Sequence, residues 1–126
     1  IKTIPGVRTY VSVDGGMGDN IRPALYESEY AVVPVDRPLA ERNHTVTVAG
    51  KFCESGDVLA RDVDLPEPET GELLALPASG AYCLMMASNY NMQTRPAVVL
   101  VNQGTSRLIR RRETYKDLLA SSIDFD

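Results

Sequence analysis

Residues 44–65 read HTVTVAGKFCESGDVLARDVDL, two runs of alternating β-branched residues joined by a polar stretch between Gly50 and Gly56. Successive side chains of a strand point to opposite faces, so HTVTVAG and DVLARDVDL each read as a strand with one buried face. The same alternation recurs in VRTYVSVD from Val7, YAVVPV from Tyr30, GELLAL from Gly71, RPAVVLV from Arg95 and SRLIRR from Ser106. The last two are joined by NQGT, which supplies the glycine a tight hairpin turn requires. Seven short strands predict a mainly β fold, a β-sandwich or distorted Greek-key barrel with short peripheral helices.

Helical signals are few. DNIRPALY after Val13-Asp14 and the glycine run predicts one or two turns, and SGAYCLMMASNY from Ser79 is apolar without strand alternation. In the tail RETYKDLLASS, Tyr115, Leu118 and Leu119 fall at helical spacing, which predicts a terminal amphipathic helix. DLPEPETG is a turn between strands. With no internal repeat and no long linker, the 126 residues read as one domain.

Composition narrows the function classes. A net charge of -4 gives nucleic acid no broad basic surface to bind, and the basic RLIRRRE reads as a solvated strand edge. Two cysteines and one histidine are too few for a disulfide framework or a zinc site, and reduced thiols fit a cytoplasmic setting. No apolar run reaches membrane-spanning length, so no membrane partner is expected. The chain opens at Ile1 within a strand-like run, and reads as a fragment of something longer.

Three polar clusters stand out. In VDGGMGDNIRPALY, Gly15, Gly16 and Gly18 match neither a Walker loop nor a dinucleotide fingerprint, and a flexible turn accounts for them. Arg22 and Tyr26 stand four apart, so one helical turn aims a guanidinium and a phenol at one point, a pair suited to a carboxylate; surface solvation is the simpler alternative. Cys53 and Glu54 would face opposite ways on a strand, whereas a loop bracketed by Gly50 and Gly56 would present both from its tip. The simpler reading of that pair is a small buried cysteine beside a solvated glutamate.

Taken in order, VDGGMGDNIRPALY, CESGD and GAYCLMMASNYN followed by RPAVVLV resemble the diaminopimelate decarboxylases, pyridoxal 5'-phosphate enzymes of lysine biosynthesis. The resemblance covers nearly the whole chain, and CESGD is its specific element, because ornithine and arginine decarboxylase relatives typically carry aspartate at the position of Glu54. It implies that residues 1–126 are a single C-terminal β domain of a two-domain enzyme. The N-terminal (β/α)8 barrel of that enzyme holds the cofactor lysine; Lys2, Lys51 and Lys116 do not match the lysine motif.

What the resemblance implies for single residues is specific. Arg22 and Tyr26 would bind the substrate carboxylate, and Tyr82 would contact the substrate and hydrogen-bond the cofactor phosphate. Cys53 and Glu54 would reach across a homodimer interface into the partner's active site. There Glu54 would hold the distal ammonium of meso-diaminopimelate and Cys53 would act as proton donor, while Ser55 and Asp57 shape the loop. The isolated chain is expected to be inactive. Two alternatives are a non-catalytic β module used for dimerisation or binding, and a relative acting on another basic amino acid.

Overall fold

In the computed structural model, which describes residues 1–123, the chain forms two compact units that divide after Ala87. In the first, β1 (Lys2–Ile4), β2 (Arg8–Ser12), β4 (His44–Ala49) and β5 (Val58–Leu65) make one sheet in the order β1-β2-β4-β5. A second pair joins β3 (Val33–Pro34) to β6 (Leu74–Ala75). Two helices complete the unit, α1 (Arg22–Tyr26) and α2 (Gly80–Met86). The mainly β reading holds, and no sheet among the described residues closes into a barrel.

β1 falls in the strand-like run at which the chain opens but was not counted among the seven strands, and the turn that separates it from β2 is written in the sequence. Pro5 presets φ at the second position of a turn and Gly6 supplies the positive φ of +71° at the third, which sets the Val7 N–H on the Ile4 carbonyl at 3.0 Å. The hairpin then pairs Lys2 with Tyr10 and Ile4 with Arg8.

β2 and β4 pair in parallel, Tyr10 with Thr47 and Ser12 with Ala49. Both strands therefore finish at the same end of the sheet, and the segments that follow them, 13–21 and 50–57, emerge side by side. β4 and β5 pair antiparallel with irregular register between Val46 and Ala49. The core is Val11, Val32, Val46, Val48, Leu59, Ala60 and Leu65, with Val13, Val63, Leu74 and Leu76 packed around it. Leu65 is 1% exposed and sits at the C-terminal end of β5.

In the second unit, β7 (Val98–Asn102) and β8 (Thr105–Arg110) form the expected hairpin. Gln103 and Gly104 take φ of +47° and +73°, the twist that matches a two-residue turn to right-twisted strands. The terminal helix is short: α3 covers Tyr115–Leu118 and its apolar residues Tyr115 and Leu119 remain exposed. A reciprocal cap holds it, because the Asp117 carboxylate accepts from the Thr114 N–H at 2.7 Å and is clasped by Arg111. A single 3-10 turn, Tyr90–Met92, precedes β7.

Glu113 is the hub of this unit. Its carboxylate accepts from the Arg95 Nε at 2.6 Å, the Arg95 backbone N–H at 2.9 Å and the Asn89 Nδ2 at 2.7 Å. These bonds, the Arg95 side chain foremost, lower its pKa from 4.5 to about 2.

A depressed carboxylate pKa contributes stability above its unfolded value that is lost as pH falls through the folded one. The second unit should therefore lose stability between about pH 4.5 and 2, and Glu113→Gln should flatten that dependence in pH-resolved hydrogen exchange. In the first unit, Leu65→Ala should destabilise by about 2–5 kcal/mol in urea unfolding, through lost burial and an unfilled cavity.

Candidate functional site

The two segments that leave the same end of the sheet are fastened by one buried side chain. The Asp57 carboxylate, 4% exposed, accepts the Met17 N–H through Oδ1 at 2.6 Å and the Phe52 N–H through Oδ2 at 2.6 Å. Its own backbone closes the second loop, donating to the Glu54 carbonyl at 3.0 Å and accepting from the Gly50 N–H at 2.9 Å. A buried carboxylate is costly unless its oxygens are satisfied, and here two main-chain donors from different segments meet that requirement.

Close packing explains the glycines. A Cβ at Gly16 would stand 2.5 Å from Asp57 Oδ1 and 2.6 Å from the Phe52 ring, and one at Gly18 would overlap the same ring. Gly50 lies against the carboxylate itself. Gly16 and Gly18 are buried, so the expectation of a merely flexible turn gives way to a packed loop. Beyond it, Asp19 Oδ2 accepts the Gly16 N–H at 3.1 Å, and burial raises the Asp19 pKa while nearby Lys51 opposes the rise. The Gly16 carbonyl accepts from the Asn20 N–H at 3.0 Å, and Asn20 Oδ1 accepts the Arg22 N–H at 3.2 Å.

That chain of bonds delivers Arg22 to the start of α1. Pro23 at the first turn presets the helical φ and lacks an N–H that would go unsatisfied there. The Arg22 guanidinium lies 4.9 Å from the centroid of the Tyr82 ring and 5.5 Å from that of Tyr26. Both phenols are exposed, Tyr82 on α2 and Tyr26 at the end of α1. Spacing foretold the Arg22–Tyr26 pair; Tyr82 joins it from a distant segment that no local pattern could place. Stacking on aromatic faces holds the guanidinium while leaving its in-plane donors for an anion.

Cys53 and Glu54 sit at the tip of the second loop. Cys53 adopts a left-handed backbone, φ +54°, and its thiol is exposed, which overturns the reading of Cys53 as a small buried residue. The buried cysteine is Cys83, whose Sγ lies 3.8 Å from the Tyr30 hydroxyl. The Glu54 carboxylate accepts from the Ser55 N–H at 2.8 Å and from the Ser55 hydroxyl at 3.0 Å. Glu54 is exposed, and Ser55 orients its carboxylate. His44 bonds its neighbour Asn43 at 2.7 Å.

The arrangement offers one cation beside two phenols, and a thiol and a carboxylate on an exposed loop tip. Among the described residues no group of three or more His, Cys, Asp and Glu side chains is placed to hold a metal ion, and no helix is long and apolar enough to cross a membrane. Asp57 was read as shaping its own loop; its reach to Met17 was not foreseen, because it depends on the parallel pairing of β2 and β4.

Residues 1–80 match the family model described as the pyridoxal-dependent decarboxylase, C-terminal sheet domain. The diaminopimelate decarboxylase of Synechocystis sp. is 58% identical over 94% of this chain, and that of Bacillus subtilis 52% identical over 98%. A crystal structure of diaminopimelate decarboxylase from M. jannaschii in co-complex with L-lysine superposes with a TM-score of 0.88 at 41% identity over 98% of this chain. The chain spans 25% and 28% of the length of the two curated relatives, and 28% of that crystallised chain. The chain belongs to the pyridoxal-dependent decarboxylase family, as its C-terminal sheet domain.

Proposed function

We propose that this chain serves an enzyme that decarboxylates meso-diaminopimelate to L-lysine in the cytoplasm, as a homodimer with sites at the subunit interface. The observation that carries the reading is Arg22, stacked on Tyr82 beside Tyr26, in a chain more than half identical to diaminopimelate decarboxylases. L-lysine, held by the M. jannaschii relative, is the product this reaction would leave.

The residues present fit the cofactor. Tyr82 offers an exposed O–H that can donate to a phosphate oxygen without adding charge, and the Arg22 cation beside it strengthens the local positive field. Pyridoxal phosphate, when bound, supplies the electron sink for the pair left as carbon dioxide departs. Within its own subunit, Arg22 pairs its planar fork with a substrate carboxylate, and Tyr26 adds a neutral donor from the same side. The Cys53–Glu54 tip acts in the partner's site. There the Glu54 carboxylate, steadied by Ser55, holds the distal ammonium, and the Cys53 Sγ–H gives its proton to the carbon that lost the carboxylate.

In the full-length enzyme, Glu54→Gln should lower kcat/KM for meso-diaminopimelate by about 30- to 900-fold, the equivalent of about 2–4 kcal/mol for a lost charge-assisted contact. Cofactor absorbance should be retained; unchanged kinetics would leave Glu54 a solvated residue. The shared site is checked by co-expressing a Cys53→Ala subunit with one carrying Ala at the cofactor lysine. Each homodimer is inactive, and the heterodimer should recover up to about half of wild-type activity, because one composite site collects both defects and the other neither. No recovery would place Cys53 in its own subunit's site.

A further inference from the structure

The carboxylate of Asp57 touches two segments with different destinations. Through Phe52 it fixes the residue next to Cys53. Through Met17 it fixes the loop whose Gly16 carbonyl and Asn20 side chain carry hydrogen bonds onward to the Arg22 backbone. If Cys53 and Glu54 work in the partner's site while Arg22 works in its own, the two oxygens of one side chain support two different active sites.

We propose that Asp57 is a positioning residue that couples the two active sites of the dimer, Oδ1 holding the segment that aims Arg22 and Oδ2 the segment that aims Cys53 and Glu54. The inference rests on the shared-site reading given above. Its physical basis is the absence of slack. Gly16, Gly18 and Gly50 are packed so closely on Asp57 and Phe52 that no Cβ fits, so a shift of the carboxylate is passed to both segments. Asn in place of Asp keeps the shape but turns an NH2 toward one of two N–H donors, so at least one segment loses its acceptor.

The test uses full-length mixed dimers with a single competent site, the other subunit carrying Ala at the cofactor lysine. With Asp57→Asn on the competent subunit, the substrate KM should rise about tenfold while kcat stays within about twofold, the signature of weakened carboxylate binding. With Asp57→Asn on the incompetent subunit, kcat should fall about tenfold, because the Cys53 tip it donates is misplaced. Hydrogen exchange of segments 14–22 and 50–57, read on cofactor-free protein, should accelerate together. Gly16→Ala retains the carboxylate but drives a Cβ against Oδ1 and the Phe52 ring, displacing both, and should give the same pair of defects if Asp57→Asn does not assemble. A KM defect alone in the first mixed dimer, a kcat defect confined to the second, or no defect in either overturns the coupling and leaves Asp57 supporting at most one of the two segments. Both defects in the first mixed dimer and none in the second would overturn it differently, by showing that all these residues serve their own subunit; the Cys53→Ala heterodimer would then also fail to recover activity.

Discussion

The buried carboxylate of Asp57 is the constraint around which the functional end of this domain is organised. It satisfies main-chain donors from two segments that are distant in sequence, and its burial obliges the neighbouring backbone to come within glycine distance. The demand for three glycines is thus set by one acid and the Phe52 ring. Parallel pairing of β2 with β4 makes the arrangement possible, since only strands running the same way deliver their following loops to the same edge.

Arg22 shows how a short helix can hold a long, flexible side chain in place. Five residues make little helix stability of their own, and α1 ends with Glu27 in a left-handed conformation. Order at Arg22 comes largely from its contacts, with the Asn20 acceptor behind it and the aromatic faces of Tyr82 and Tyr26 within reach of its guanidinium. A guanidinium arranged before its anion arrives loses less rotamer freedom on binding.

Much of this was legible in the sequence, and the limits have physical causes. Strands with one buried face announce themselves by alternation, so the strands around Val46 and Val48 and the NQGT hairpin were readable. The order of strands was not, because β2–β4 pairing is set by side chains that meet only in the folded sheet. α3 is shorter than its apolar spacing implied, since Tyr115 and Leu119 find no burial to extend it. In the site, Arg22 and Tyr26 were paired by helical spacing, whereas Tyr82 could be associated with them only through family resemblance. The exposed thiol of Cys53 runs against the usual habit of free cysteines, and the only local hint was its place between Gly50 and Gly56.

The parallel partnership of β2 and β4 also bears on how the chain assembles. The β4–β5 hairpin closes a short loop and loses little chain entropy in doing so, and Asp57 already belongs to it. β2 can join β4 only after α1 and β3 have been looped out between them, a non-local closure that slows folding. A nascent domain therefore has the means to form the Cys53 tip from local contacts, while the placement of Arg22 waits for the sheet. Until that closure the Asp57 carboxylate lacks its Met17 donor, and the edge of β4 lies open to pairing with a stray strand.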